Sequence, residues 1–214
     1  ADDLPGIAAY EHINDILYVN EKISSQSYID DELLEGYFVA ENAIDVIKSL
    51  NTNKVLFAPD CYLGSFAQKN LPSVEIISYP GFCPTHLRII PDEIIKMKIM
   101  YKDAKILVHP ECHQEVVKLA DFVGSTTQIM QYCANSNNKS FIIATEKGVV
   151  DRLERDFPDK EFILASNKLV CHNMKWNTLE DILNSLLYDQ FEVTVEEEIR
   201  QKALNSIQKM VELG

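Results

Sequence analysis

The sequence predicts an α/β protein in which helices cover parallel sheets. Short apolar segments alternate with longer amphipathic ones along most of the 214 residues, and this alternation is typical of consecutive βαβ units. The short segments are apolar throughout rather than at every second position, as in strands that are buried on both faces. Apolar residues make up 46% of the chain and charged residues 25%, which is ordinary for a folded globular protein.

The strands are predicted wherever a short run of Val, Ile, Leu and Phe is followed by turn-forming or polar residues. Because such runs are continuous, each strand is expected to be covered on both faces of its sheet. We predict strands at Ile16–Asn20, Tyr37–Ala40, Lys54–Pro59, Val74–Tyr79, Lys105–His109, Asp121–Gly124, Ser140–Thr145 and Glu161–Ala165, with Phe191–Val195 as a weaker candidate.

The helices are predicted from the amphipathic segments between these strands, and several have recognisable starts. Pro91 precedes Asp92, and Thr178 precedes Glu180, so acidic side chains lie in the first turn, where the helix dipole favours them. We predict helices at Asn42–Leu50, Gly64–Lys69, Pro91–Tyr101, Gln114–Leu119, Thr127–Ala134, Gly148–Phe157, Thr178–Tyr188 and Val195–Leu213.

The chain contains an internal repeat with an offset of about 85 residues, well above the usual solenoid periods. Lys54–Asp60 resembles Ser140–Glu146, and Val74–Cys83 resembles Phe162–Cys171. Buried strands also resemble one another by composition alone, so chance similarity is the alternative interpretation. The repeat predicts tandem homologous units, each with three layers and a parallel sheet. We expect a lead-in at residues 1–15, units at 16–103 and 104–190, and a closing strand and helix at 191–214.

Charge and cysteine content exclude several classes of protein. The chain has 20 Lys and Arg against 33 Asp and Glu, a net charge of −13, which disfavours nucleic acid and anionic lipid as partners. No apolar run approaches the roughly 20 residues that a membrane span needs. The chain starts without the basic and apolar regions of a secretion signal. Its five cysteines are odd in number and lack a CxxC pair, as expected of reduced thiols in the cytoplasm.

The tetrapeptide from His109 to Cys112 is rich in reactive side chains. It follows the predicted strand Lys105–His109, so His109 and Glu111 are expected at the carboxyl edge of the sheet, where ligands bind in α/β proteins. A carboxylate there can act as a general acid or base, and a histidine can orient or protonate an oxyanion. The alternative is structural: a histidine bonded to a backbone carbonyl and a glutamate that caps the next helix.

Two further segments at predicted strand ends carry polar side chains. Ser125 and Thr126 open a helix, where N–H groups and hydroxyls can bind a carboxylate or phosphate, although a plain helix cap is the commoner use of these residues. Tyr18 and Asn20 end the first strand and can contact a substrate, or they can be a buried tyrosine and a turn residue.

Each predicted unit places one cysteine just beyond its fourth strand. These are Cys83 and Cys171, and both lie in loops. If the two units pack around a pseudo-axis, the two thiols converge and form an incomplete metal site. His86 follows Cys83 by three residues, and the segment is equally consistent with an ordinary loop. A structural zinc site is disfavoured because neither CxxC nor HxxxH spacing is present.

The chain resembles quinolinate synthase, the iron–sulfur enzyme of NAD biosynthesis in bacteria and archaea. The resemblance extends over nearly the whole chain, and its motifs follow the order of the family. They are Tyr18-Val19-Asn20, Phe57-Ala58-Pro59-Asp60, Gly81-Phe82-Cys83 with His86, His109-Pro110-Glu111-Cys112, Ala120-Asp121-Phe122-Val123-Gly124-Ser125-Thr126, Ala144-Thr145-Glu146, and Cys171 with Asn173-Met174-Lys175.

The resemblance implies a fold of three homologous α/β units around a pseudo-threefold axis, of which this chain carries the second and third. It also implies a cytoplasmic transferase that condenses iminoaspartate with dihydroxyacetone phosphate, with a functional link to L-aspartate oxidase. The implied cofactor is a [4Fe–4S] cluster held by one cysteine from each unit, whose open iron acts as a Lewis acid. By motif, the implied cluster ligands are Cys83 and Cys171, the substrate-binding residues are Tyr18, Asn20, His109, Glu111, Ser125 and Thr126, and the catalytic residues are Glu111 and His109.

The chain departs from the family pattern in two places. The family's first unit, which carries the third cluster cysteine, is expected to be missing, so the chain by itself is expected to lack part of the site. Ala40 stands where the family usually has a substrate-binding serine, which removes a hydrogen bond worth on the order of 1 kcal/mol. These departures leave an alternative function open, that of a degenerate, non-catalytic relative that binds small anions or acts as a scaffold.

Overall fold

The computed structural model describes residues 43–213, and these residues form the predicted α/β fold. Every pair of hydrogen-bonded strands in this range is parallel, which confirms the fold class. The strands are β1 (Lys54–Phe57), β2 (Glu75–Ser78), β3 (Lys105–Val108), β4 (Phe122–Val123), β5 (Ser140–Ala144) and β6 (Glu161–Leu164).

Helices connect the strands and extend to the carboxyl end of the described range. They are α1 (Ala43–Ser49), α2 (Cys61–Asn70), α3 (Pro91–Met100), α4 (Gln114–Val117), α5 (Thr126–Asn135), α6 (Lys147–Asp156), α7 (Leu179–Tyr188) and α8 (Glu197–Leu213), with short 3-10 turns at His86–Arg88 and Asn173–Lys175. In the part of the chain that the structure describes, no helix is both long and apolar enough to cross a membrane.

The strands belong to two sheets. β1 and β2 pair in register from Lys54 with Glu75 to Phe57 with Ser78. The second sheet has the order β4-β3-β5-β6. Its two central strands, β3 and β5, pair from Lys105 with Phe141 to Val108 with Ala144. Because the strands are parallel, their carboxyl ends lie at one edge of each sheet, where the loops that follow them collect.

The larger sheet is the middle layer of three. Its central strands are buried on both faces, because their residues are apolar at consecutive positions. Successive side chains point to opposite faces, so each strand contributes to two hydrophobic clusters. One cluster contains Ile106, Val108, Ile142 and Ala144 with Ile94, Val116 and Leu169, and the other contains Leu107, Phe141 and Ile143 with Ile129, Leu153 and Phe162.

The described chain forms two compact units, and their boundaries differ from those expected from the repeat. Residues 52–172 form one unit, and residues 43–51 and 173–213 belong to another. The first unit contains both sheets, and the second contains α1, α7 and α8. The boundaries expected from sequence, 16–103 and 104–190, remain a prediction.

The predicted elements within residues 43–213 are present with one exception. Phe191–Val195 is not a strand, since these residues are irregular and exposed, so that prediction was wrong. A strand needs a neighbour to satisfy its backbone groups, and the described residues provide none there. α2 begins at Cys61, earlier than predicted, because the Asp60 carboxylate caps it. The predicted strands Ile16–Asn20 and Tyr37–Ala40 lie outside the described residues.

Replacing Asp121 with Asn is expected to lower the free energy of unfolding by about 1 kcal/mol at pH 7. Asp121 accepts hydrogen bonds from the Ile106 N–H (2.9 Å) and from the Lys105 ammonium (2.9 Å). Burial would raise the pKa of Asp121, but these hydrogen bonds outweigh burial and hold its pKa below the usual range. The carboxylate therefore stabilises the fold above about pH 4, and this contribution is lost as the pH falls through the lowered pKa. Urea unfolding of both proteins from pH 7 to pH 2 measures the difference.

The control for this prediction is Asp159→Asn. Asp159 pairs with Lys139 at 2.8 Å, and both side chains are mostly exposed, so solvent screens their attraction. We expect this control to change stability much less than Asp121→Asn. Equal effects of the two substitutions at pH 7, or a difference that persists at pH 2, would contradict the role given to Asp121.

Candidate active site

Reactive side chains lie at the carboxyl edge of the larger sheet. His109 and Glu111 directly follow β3, as predicted, and the His109 N–H donates to Ala144 O at the end of β5 (3.1 Å). The loop after β4 is adjacent, since the Gly124 N–H donates to Val108 O (3.2 Å). Neighbouring parallel strands therefore bring these loops together.

His86 lies at the centre of this group, although the sequence did not distinguish it from an ordinary loop residue. It is only 7% exposed. Its Nδ1 lies 2.9 Å from Glu111 Oε2, and its Nε2 lies 3.0 Å from Thr145 Oγ1. Its ring stacks on His109 with a centroid separation of 4.4 Å and an interplanar angle of 12°. The contact of Nδ1 with the Glu111 carboxylate is an ion pair when His86 is protonated.

Cys83 completes a group with the composition of a metal site. Ligand atoms of Cys83, His86 and Glu111 all lie within 4.8 Å of one another. A thiolate, an imidazole and a carboxylate are the usual protein ligands of transition metals.

The charges of these groups depend on one another. Burial alone would lower the pKa of His86, but its contacts with Cys83 and Glu111 outweigh burial and raise its pKa to about 9. Burial and the neighbouring His86 lower the pKa of His109 to about 4. Burial would raise the pKa of Glu111, but the contact with His86 outweighs it, so the Glu111 pKa lies below its usual range. At neutral pH the site therefore contains an ionised Glu111, a protonated His86 and a neutral His109.

Cys171 lies in a loop that adjoins the loop of Cys83. Arg88, in the turn that contains His86, donates from Nη1 to Val170 O (3.3 Å). The Cys171 N–H donates to Glu146 Oε1 (3.2 Å), and Glu146 follows Thr145 in the chain. Both Cys83 and Cys171 are partly exposed residues.

The other cysteines do not have the environment of metal ligands. Burial raises the pKa of Cys112 to about 12 and that of Cys133 to about 12, so both stay protonated, whereas the thiolate is the form that binds metals. The Cys112 thiol also donates to Ala144 O. Burial and then Asp60 raise the pKa of Cys61. By burial, Cys83 and Cys171 are therefore the described cysteines best placed to act as metal ligands.

Ser125 has the cap arrangement that the sequence left open as an alternative. Its Oγ accepts from the Gln128 N–H (3.3 Å), and its own N–H donates to Gln128 Oε1 (2.8 Å). Ser125 and Thr126 open α5 directly after β4 and are partly buried. Tyr18 and Asn20 lie outside the described residues, as does Ala40.

Three buried polar residues of this region were not predicted as functional from sequence, namely His86, Asp60 and Glu146. The three-residue spacing between Cys83 and His86 was a usable signal for His86. Asp60 and Glu146 each follow a strand and cap the next helix, but nothing in their spacing indicates the cysteine loops that they also contact.

The chain is similar to proteins of one family. The family model described as Quinolinate synthetase A protein matches residues 7–212. A quinolinate synthase of Caldicellulosiruptor saccharolyticus is 44% identical over 175 residues, which cover 82% of this chain and 58% of that protein. One from Clostridium kluyveri is 42% identical over 198 residues (92% and 64%), and one from Dehalococcoides mccartyi is 47% identical over 170 residues (79% and 56%). The chain spans less than two thirds of the length of these relatives.

Proposed function

Because this chain belongs to the quinolinate synthase family, we propose that it carries part of a quinolinate-forming active site. In the proposed reaction, iminoaspartate and dihydroxyacetone phosphate condense with loss of phosphate and water, and a pyridine ring closes in the synthesis of NAD. The observation that carries the proposal is the group formed by Cys83, His86 and Glu111, in which His86 is buried and the other two are partly buried, beside a neutral His109. Proton transfer and metal binding both require such a group.

We propose Cys83 and Cys171 as two of the ligands of a [4Fe–4S] cluster. An iron that no cysteine binds would supply Lewis acidity towards a substrate oxygen. The thiols of Cys112 and Cys133 are held protonated by burial, which supports Cys83 and Cys171 over these two as ligands.

Glu111 is the proposed acid–base residue. It is ionised at neutral pH because protonated His86 lies against it, so it can accept a proton from the substrate. It can return that proton to a hydroxyl group that leaves as water, and both transfers belong to the tautomerisation and dehydration that ring closure needs.

His109 is proposed to hold a substrate oxygen without adding charge. Its Nδ1 accepts a hydrogen bond from the Glu111 N–H (3.3 Å), so in the neutral ring the proton is on Nε2. Nε2 is then a donor for a carbonyl or carboxylate oxygen of the substrate. A neutral donor suits this position because the protonated ring of His86 is stacked on it.

We propose that side chains with hydroxyl and amide groups bind the carboxylate and phosphate groups of the substrates. Ser125 accepts a hydrogen bond from Gln128 through its oxygen, and its hydroxyl hydrogen does not take part in that bond. We assign Ser125 and Thr126 at the start of α5 to an anionic group, in keeping with the helix dipole. Tyr18 and Asn20 are assigned to substrate by family motif. The proposal places the protein in the cytoplasm, where an L-aspartate oxidase would supply iminoaspartate.

The proposal is tested by measuring quinolinate formation after anaerobic loading with iron and sulfide. The assay uses the full chain alone and the chain mixed with the part of a longer relative that it does not cover. We expect quinolinate to form at least in the sample that contains both proteins. A mixture that contains iron and sulfide but forms no quinolinate would contradict the proposal and favour a non-catalytic anion-binding protein.

A further inference from the structure

Asp60 joins the start of a helix to the loop of a proposed iron ligand. One carboxylate oxygen, Oδ1, accepts from the Tyr62 and Leu63 N–H groups (2.8 and 2.9 Å) and so caps α2. The other, Oδ2, accepts from the Cys83 N–H (2.8 Å). Asp60 is buried at 4% exposure. Capping needs only one side-chain oxygen, so the second oxygen is used for the cysteine.

Glu146 has the same arrangement at the other proposed ligand. Its Oε2 accepts from the Gly148 N–H (2.6 Å) and caps α6. Its Oε1 accepts from the Cys171 N–H (3.2 Å). Glu146 is buried as well, at 5% exposure.

The two arrangements occupy equivalent places in the two sheets. Asp60 follows β1 and Cys83 follows β2, which pairs with β1. Glu146 follows β5 and Cys171 follows β6, which pairs with β5. The acids differ by one methylene, yet each divides its two oxygens in the same way. Two such bridges at the same topological position are not explained by capping, because a serine or threonine would cap as well.

We propose that Asp60 and Glu146 are positioning residues that fix the backbone at Cys83 and Cys171 and so set where each thiol is presented. A carboxylate bound to a backbone N–H makes a strong, charge-assisted hydrogen bond. Because each acid is itself held by a helix terminus, it restrains the cysteine relative to the sheet. The proposal rests on the proposed function only in taking Cys83 and Cys171 as iron ligands.

The test compares Asp60→Ser with Glu146→Ser in the cluster-free full chain. Serine keeps a cap oxygen but is too short and has too few oxygens to reach the cysteine N–H as well. Iodoacetamide alkylation of each cysteine is followed by mass spectrometry as a function of pH. The limiting rate at high pH, where the thiol is fully ionised, reports presentation of the sulfur rather than its pKa.

The expected result is a crossover. Asp60→Ser changes the limiting rate at Cys83 on the order of tenfold and leaves that at Cys171 unchanged, and Glu146→Ser does the reverse. Thr178→Ala is the matched control, since it removes a helix cap in α7 whose hydrogen bonds are made with Asp181, and both rates should stay at wild-type values. Asp60→Asn and Glu146→Gln are isosteric variants for the case in which a serine variant does not fold, and they should give the same crossover with smaller amplitude.

Equal changes at both cysteines in each variant, or no change at either, would overturn the positioning role. Anaerobic iron and sulfide uptake by the same variants separates this inference from the proposed function. A crossover in alkylation with no iron uptake by any protein, wild type included, would leave the positioning role standing and contradict the proposed cluster.

Discussion

Replacing Glu111 with Gln is expected to lower the turnover number for quinolinate by about 10²–10⁴-fold, the usual contribution of a general acid or base. Glutamine has nearly the same shape, and its amide oxygen can still lie against His86. It cannot accept a proton at neutral pH. Because glutamine keeps the shape and the hydrogen-bonding oxygen of Glu111 but cannot transfer the proton, the loss should appear in kcat with little change in KM. Steady-state assays of the iron-loaded preparation that forms quinolinate measure both constants.

Glu115→Gln is the matched control. Glu115 is close in sequence but exposed, and it pairs with Lys118 on the surface (2.7 Å). We expect wild-type kcat from this variant. If Glu111→Gln keeps more than about a tenth of wild-type kcat with the same iron content, Glu111 is not the acid–base residue.

Replacing Cys83 or Cys171 with Ser is expected to reduce bound iron and sulfide at least tenfold. Iron–sulfur clusters are held by thiolates, and a serine hydroxyl stays protonated at neutral pH. Loss of either ligand leaves one iron without its protein anchor. Each variant is loaded anaerobically in the same way as wild type. The measurements are iron and acid-labile sulfide per chain and the visible absorbance of the loaded protein.

Cys61→Ser controls for the loss of a thiol as such. Cys61 is partly exposed at the start of α2 and is not assigned to iron. Its serine variant should keep wild-type iron and sulfide content. A Cys83→Ser protein that holds as much iron and sulfide as wild type would contradict the assignment of Cys83.

The fold could be predicted from sequence where burial determines the pattern. β3 and β5 are apolar at every central position because helices cover both faces of their sheet, so continuous apolar runs were enough. Phe191–Val195 has similar composition, but a strand forms only where a neighbour accepts its hydrogen bonds, and composition does not encode that neighbour. Helix starts shifted where a capping side chain, such as Asp60, decided the first turn.

The position of a residue at the carboxyl edge could be predicted most directly where it follows a strand at once. His109 and Glu111 come straight after β3, so the topology places them at the carboxyl edge. His86 reaches the same place from a short turn after a different sheet, through stacking on His109 and contact with Glu111. Its three-residue spacing from Cys83 makes it a candidate but does not encode those two contacts. The hydrogen bonds from Asp60 and Glu146 to the cysteine loops could not be predicted for a similar reason. The donor is a backbone N–H, which every residue except proline has, so the bond imposes no residue type on the donor position.

The most direct test of the account is whether the thiols of Cys83 and Cys171 face one shared space. Dibromobimane, a short reagent that joins two nearby thiols, is added to the cluster-free chain in a Cys61→Ser background, which removes the neighbouring partly exposed thiol. Peptide mapping should recover Cys83 and Cys171 joined by a single bridge. Attachment of the reagent by one end at each of these cysteines, without a bridge between them, would contradict a common iron site.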